Sequence, residues 1–504
     1  MKKWIAAMLM LLLAFSCTAL GEEAGFSLYV SDFSQGFDGW YPRSTGTAAL
    51  ESRDGALYIT GRTSSWNSPG RDFDLQPGIK YQFSFQVMQN SVDSAEFMMS
   101  AAHSKMGLES YENLAKGKAP KGAWVTISGN YTPNAYDNYI LYVETVGNGT
   151  LDFAIRNVRV ESMEIKYDMT LPSLKEAYKD YFDFGAAVVQ TEARNQKLMD
   201  FCASQFSILT PGNELKPDSV FDVNASRKLA AADETAVAVK FDAAKPLLDY
   251  CQKNGVKVHG HVLVWHSQTP DVFFREGYKS TGKYVSREVM LARLDNYIRL
   301  VMEYTDTHYP GVIVSWDVVN EAVSDGSKEL RESNWTKVVG QDFVNRAFEI
   351  ARKYAPEGVK LYYNDYNTPN EPKLTGICNL LDSLIAEGNI DGYGFQCHYS
   401  SNSPLPAMVR SAMDRIAKKG ILLRVSELDV GISADNSINR IFQASRYKEL
   451  MKIFLDYADQ MEAVQVWGIT DDKSWRGDEF PLLFDGRAKP KDAFHYVLDA
   501  VKEE

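Results

Sequence analysis

The stretch AAKPLLDYCQKNGVKVHGHVLVWHSQTP, residues 243–270, decides the fold class. Its first half sets Ala244, Leu247, Leu248 and Cys251 at i, i+3, i+4 and i+7, one face of a helix, and Gly255 follows as the stop. Its second half, Val256–Trp265, is an apolar run of the kind a strand buried on both faces needs. Polar residues, His266 and Gln268, close it. The same succession recurs from Ser173 onward. Apolar strands are expected at Phe184–Val189, Ser207–Thr210, Val256–Trp265, Val312–Val319, Lys360–Asn364, Gly392–His398, Leu422–Leu428 and Val464–Thr470. Between them lie amphipathic helices, such as the one with Val344, Ala347, Phe348 and Ala351 on one face that Pro356 ends. A doubly wound sheet shares this alternation, but eight βα units point to a (β/α)8 TIM barrel over residues 173–504.

Residues 25–163 follow a different rule. Helical periodicity is missing, and short alternating runs such as Tyr81–Val87 and Tyr139–Glu144 are divided by turn signals, Gln76-Pro77-Gly78 and Pro120-Lys121-Gly122 among them. Many short strands at this spacing predict a jelly-roll-like β-sandwich. Leu171-Pro172 precedes the change of pattern. Before the sandwich, residues 1–21 have a basic start, a short apolar run from Trp4 to Phe15 and a small-residue ending, as a secretory signal peptide does. Export is therefore expected, with a cell-surface lipoprotein attached through Cys17 as the alternative.

The chain has 504 residues, and 54 basic against 66 acidic side chains leave a formal charge of −12. Nucleic-acid binding leaves a basic footprint, so this balance argues against that partner. A hydrophobic fraction of 45% excludes wholesale disorder. Cys202, Cys251, Cys378 and Cys397 are too few and too scattered for a disulfide scaffold or a zinc site, although one disulfide is compatible with an oxidising compartment. His259, His261 and His266 belong to no familiar metal-ligand spacing. No GxSxG elbow or phosphate loop is present, so no cofactor is expected.

In a parallel barrel the active site collects at the carboxyl ends of the strands. The third strand ends in His261, Trp265, His266 and Gln268, and the fourth in WDVVNEAV with Asn320 and Glu321. The fifth gives YYNDYN, Tyr362–Asn367, and the sixth Gln396 and His398. The seventh ends in Glu427 and Asp429, and the eighth in Trp467, Trp475 and Arg476. Two carboxylates at strand ends, flanked by amide, imidazole and indole groups, suit glycoside hydrolysis. One carboxyl protonates the leaving oxygen while the other stabilises or attacks the anomeric carbon.

These motifs resemble those of glycoside hydrolase family 10 endo-β-1,4-xylanases, and the resemblance covers about 173–500. It implies that Glu321 is the general acid/base and Glu427 the nucleophile of a retaining double displacement. Retention would require their carboxyls about 5–5.5 Å apart. It further implies that Asn320 bonds a sugar hydroxyl, that His398 orients Glu427, and that Asp429 supports His398. His261, Trp265, Gln268, Asn213 and Lys216 would contact sugar on the glycone side, Gln396 would line the site, and Trp467 and Trp475 would cover the sugars beside the catalytic pair. Xylan and xylo-oligosaccharides are the implied partners, with no nucleic acid and no protein partner. Three positions depart from the pattern; Cys for Ser at Cys397 and Ser for Thr at Ser426 are expected to be neutral, and the third matters. After strand two the family reads T-x-E-N-E-M-K, whereas this chain reads Thr210-Pro211-Gly212-Asn213-Glu214-Leu215-Lys216. Gly212 supplies no carboxylate, so weaker glycone binding is expected.

The first domain is similar to a family 22 carbohydrate-binding module in GWYPR (39–43), TGRTSSWNSP (60–69), YENLA (111–115) and LYVE (141–144). This resemblance implies a xylan groove built from Arg43, Trp66, Tyr111, Tyr142 and Glu144. Trp66 lies in a polar, turn-rich stretch where a core residue is less expected.

Overall fold

The computed structural model describes residues 27–43, 48–105, 108–134, 138–147 and 149–502. The expected signal segment and Cys17 lie outside the described residues. The chain divides into two compact units, one up to Ile165 and one from Lys166.

The first unit holds two antiparallel sheets. One runs Ala49–Arg53, Ala56–Thr60, Phe153–Ser162, Tyr81–Met88, Val125–Tyr131, with Ser27–Ser31 added against Phe153–Ser162. The other runs Tyr41–Pro42, Pro69–Phe73, Asn138–Val146, Ser94–Lys105, Leu108–Pro120. Alternation decides what is inside. Along Tyr81–Met88 the residues Tyr81, Phe83, Phe85 and Val87 are buried while Gln82 is exposed. Phe97, Leu141 and Ile155 share that core, with the Phe97 and Phe153 rings edge to face at 5.2 Å.

In the second unit ten strand segments form one parallel sheet. Two are short continuations, Val264–Trp265 beyond Lys257–Gly260 and His398–Ser400 beyond Gly392–Phe395. The eight principal strands are Asp183–Val188, Ile208–Pro211, Lys257–Gly260, Ile313–Asn320, Lys360–Asp365, Gly392–Phe395, Leu422–Gly431 and Met461–Val466. Pairing runs from the third strand back through the first to the eighth and down to the fourth. Contacts such as Val258–Ile313 and Gly260–Trp316 then join third to fourth and close the barrel. The helix read from residues 244–254 is present as Lys245–Asn254. It buries Leu247, Leu248 and Cys251, and Gly255 ends it in the left-handed conformation at φ 66°.

The strand limits differ from the sequence expectation in three informative places. Strand three shifts register against strand four between Val258 and His259, stops at Gly260 and resumes at Val264. Strand six breaks at Gln396-Cys397, where Cys397 takes φ 62°. Strand seven continues to Gly431 because His398–Ser400 pairs with Asp429–Gly431, so Glu427 and Asp429 sit inside a strand. The four described cysteines are buried free thiols.

Gly260 is dictated by its neighbour. A Cβ there would stand 2.3 Å from the indole of Trp316, which is 1% exposed and points to the helix side of its strand, since Ser315 and Asp317 beside it face His259 and His261 inside the barrel. Gly260→Ala is therefore an overpacking change and is expected to destabilise the barrel by about 1–3 kcal/mol. A thermal melt of the variant checks this, and an unshifted midpoint contradicts the close packing.

Candidate active site

Strand four delivers Glu321 one residue past its last paired position, Asn320. There the backbone turns into the left-handed region, φ 55°, and its N–H donates to the carbonyl of Asn364 at 2.9 Å. Both carboxylate oxygens are held. Trp265 Nε1 donates to Oε2 and Gln396 Nε2 to Oε1, each at 2.9 Å. Gln396 also donates to Asn320 Oδ1 at 3.1 Å, so three strand ends share one network.

Glu427, within strand seven, has different partners. Asn364 Nδ2 donates to Oε1 at 2.8 Å, and His398 Nε2 faces Oε2 at 3.1 Å. The other His398 nitrogen, Nδ1, lies 2.7 Å from Asp429 Oδ2. Burial works against a charged imidazole, but the carboxylates of Asp429 and Glu427 outweigh it and push His398 up to about 10. With a proton on each nitrogen, the ring can donate to both carboxylates at once. Asp429 is fixed in turn by Trp475 Nε1 at 3.1 Å and by Arg476.

The two carboxylates face one cavity of about 530 Å³. Along its wall Lys216 Nζ donates to Asn213 Oδ1 and Gln268 Oε1, both at 3.0 Å. Burial lowers the Lys216 ammonium, while the charges of Glu427, Asp218 and Glu321 oppose that shift. His261 Nδ1 bonds Asp317 Oδ2 at 2.8 Å, and its ring stands edge to face with Trp467 at 5.4 Å. Trp475 remains 65% exposed, its ring centroid 4.9 Å from that of His398. Every barrel residue expected to catalyse or to bind sugar lines this cavity; Asp429 lies behind His398, and of the other strand-end residues His266 and Arg476 lie outside it.

Gly212 also lines the cavity. A Cβ there would meet Val189 Cγ1 at 3.1 Å, a contact a small movement of that side chain relieves. Other lining residues were not singled out by sequence reading: Tyr366, Lys473 and Glu192. Glu192 accepts the N–H of Val189 at 3.0 Å, and burial, with the charges of Asp472 and Glu214, pushes it up to about 7. Asn364 is the main omission, since it touches Asn320, Ser426 and Glu427. It was visible as a polar residue in an apolar strand, two places after Tyr362 and so on the same face.

In the sandwich, Arg43 lies over the ring of Tyr142 at 3.6 Å and near that of Tyr111 at 5.4 Å. Tyr142 is consequently buried, a floor beneath the guanidinium rather than an open platform. Glu144 is half-buried and accepts from Ser100 Oγ at 3.3 Å, and burial raises its carboxyl above the ordinary value. Tyr111 is 58% exposed and Trp66 61%. The loop carrying Trp66 is tied down from inside: the Arg62 guanidinium donates to the carbonyls of Ser65, Asn67 and Leu151. An exposed indole on a fixed loop fits a flat ligand face.

Comparison with known proteins agrees with both units. Residues 27–150 match a carbohydrate binding domain family. Endo-1,4-beta-xylanase A of Thermotoga maritima is 33% identical over 502 residues, covering 94% of this chain and 46% of that protein. Endo-1,4-beta-xylanase B of Butyrivibrio fibrisolvens is 36% identical over 338 residues, covering 65% of this chain and 53% of that protein. The chain thus spans about half the length of the curated relatives it matches. A solved structure of the CBM22-1–GH10 modules of Clostridium thermocellum xylanase 10B, complexed with xylohexaose, is 28% identical with a TM-score of 0.62, covering 95% of this chain and 98% of that one. Residues 173–500, the span that carries the closed barrel with Glu321 and Glu427 facing one cavity, match glycosyl hydrolase family 10, and the chain belongs to that family.

Proposed function

We propose that the protein is an endo-1,4-β-xylanase that acts by retaining double displacement and carries a xylan-binding module. The observation that carries this reading is the pair Glu321 and Glu427 on one cavity, each held by a different set of donors. Glu321 would protonate the leaving sugar oxygen while Glu427 attacks the anomeric carbon. The bond to the leaving sugar breaks as the bond to Glu427 Oε forms, giving a covalent glycosyl-enzyme. Glu321, now deprotonated, then removes a proton from the water that hydrolyses it.

The surroundings support these roles. Asn364 and the charged His398 hold Glu427 in a single orientation, the requirement for in-line attack. Asp429, Trp475 and Arg476 hold His398 through its other nitrogen. Asn213, Lys216, His261 and Gln268 would bond hydroxyls, and Trp265, Trp467 and Trp475 would lie against sugar faces. The substrate assignment draws on the named activities of the relatives, all of which carry the word xylanase among those compared above. In the module, Trp66 and Tyr111 would stack on the polymer while Arg43 and Glu144 bond its hydroxyls.

A product time course on xylan, with anomeric configuration followed by NMR, tests the proposal as a whole. Oligosaccharides appearing first as the β-anomer are expected, and a first-formed α-anomer overturns retention. A faster rate on carboxymethyl cellulose than on xylan overturns the substrate, and full activity in Glu427→Gln overturns the nucleophile.

Two further expectations are local. Gly212→Glu should lower KM on short xylo-oligosaccharides, because a charge-assisted bond to sugar contributes about 1.5–3 kcal/mol; an unchanged KM removes the argument. Trp66→Ala should abolish retention on insoluble xylan without shifting the thermal midpoint, since the indole is 61% exposed and leaves no core cavity. Undiminished retention excludes Trp66 from the binding face.

A further inference from the structure

Glu321 must present its carboxyl from a backbone conformation that residues with a Cβ rarely adopt, φ 55°. Such a turn persists where neighbouring groups fix it. The peptide before it is held by Asn364, and the carbonyl of Glu321 accepts from Arg331 Nε at 3.3 Å. The next two N–H groups, of Ala322 and Val323, converge on one atom, the phenol oxygen of Tyr363, at 3.0 and 3.1 Å.

That oxygen can accept from both because its own proton is committed elsewhere. The Tyr363 hydroxyl donates to Asp365 Oδ2, which leaves its lone pairs for the two amides. Asp365 is fixed through its other oxygen, 2.8 Å from Lys373 Nζ and 2.9 Å from the N–H of Tyr366. Lys373 Nζ lies also 3.0 Å from Asp325 Oδ1 and 3.6 Å from the centroid of the Tyr366 ring. Tyr363, Asp365 and Lys373 are all fully buried. A buried ion pair is a poor means of adding stability, because desolvation consumes most of the attraction, but it fixes geometry well. The row Lys373, Asp365, Tyr363 ends on the peptides that carry Glu321.

We infer that Tyr363, backed by Asp365 and Lys373, is a positioning residue for Glu321, holding the left-handed turn from which the acid/base carboxyl reaches the leaving oxygen. The inference rests on the proposed role of Glu321. It predicts a selective defect. Departure of 2,4-dinitrophenolate needs no proton, whereas departure of phenolate does, so only the second reaction depends on where Glu321 stands.

The test compares kcat/KM of the full chain on 2,4-dinitrophenyl and phenyl β-xylobioside, since kcat/KM reports the bond-breaking step. Tyr363→Phe is expected to lose roughly tenfold or more on the phenyl substrate, within the range a positioned acid contributes, and to keep its value on the dinitrophenyl substrate. Equal losses on both mean that Tyr363 serves the fold generally, and no loss on either means that the turn holds without it; each overturns the inference. If Tyr363→Phe does not fold, Asp365→Asn, which keeps the side-chain shape and removes the anionic acceptor, is judged by the same two substrates and the same criterion. A wild-type chain inactive on both xylobiosides would sink the functional reading, and the inference with it.

Discussion

Hydrogen bonds between Val258–Gly260 on the third strand and Ile313–Trp316 on the fourth join the two ends of the parallel sheet, and most of what is chemically interesting follows from that joint. Once the ring closes, all eight strands deliver their carboxyl ends to one face, and residues far apart in the chain are brought within bonding distance. Asn320, Asn364 and Gln396 come from strand ends four, five and six, yet share one set of hydrogen bonds. Closure has a steric condition. The indole of Trp316 packs against strand three at the joint, and a glycine at 260 makes the room.

The second constraint is electrostatic. Glu321, Glu427, Asp429, Asp365 and Asp317 crowd the upper barrel, and unpaired buried carboxylates are costly. Each negative group is answered locally. His398 stands between Glu427 and Asp429, Arg476 binds Asp429, Lys373 binds Asp365, and His261 bonds Asp317. Burial alone would strip His398 of its charge; two carboxylates restore it. The arrangement keeps Glu427 and Glu321 in separate environments, one beside an imidazolium and an amide, the other between an indole and an amide. Separate environments are how two like groups take different parts in one reaction.

The sandwich solves a simpler problem. Its inner faces are packed with aromatic and aliphatic side chains, and the outward positions Arg43, Tyr111 and Glu144 are left for a ligand. Arg62 shows how such a surface is kept rigid, with its guanidinium spent on loop carbonyls so that Trp66 stands clear.

The periodicities of residues 243–270 and of Tyr81–Val87 contained the two architectures, because burial on one face or two leaves a repeat that needs no partner to be read. The strand-end motifs likewise contained Glu321, Glu427 and most of the cleft, since the barrel rule converts a position in the chain into a position in space. Contacts across the ring were not legible. Nothing in the order of residues says that Tyr363 meets the amides of Ala322 and Val323, that Asn364 reaches Glu427, or that Tyr142 lies under Arg43. Nor does it say that strand seven runs on past Glu427 to Gly431. A periodicity records only whether a side chain is buried. Which group it meets there depends on register and closure, and those exist only once the strands have paired.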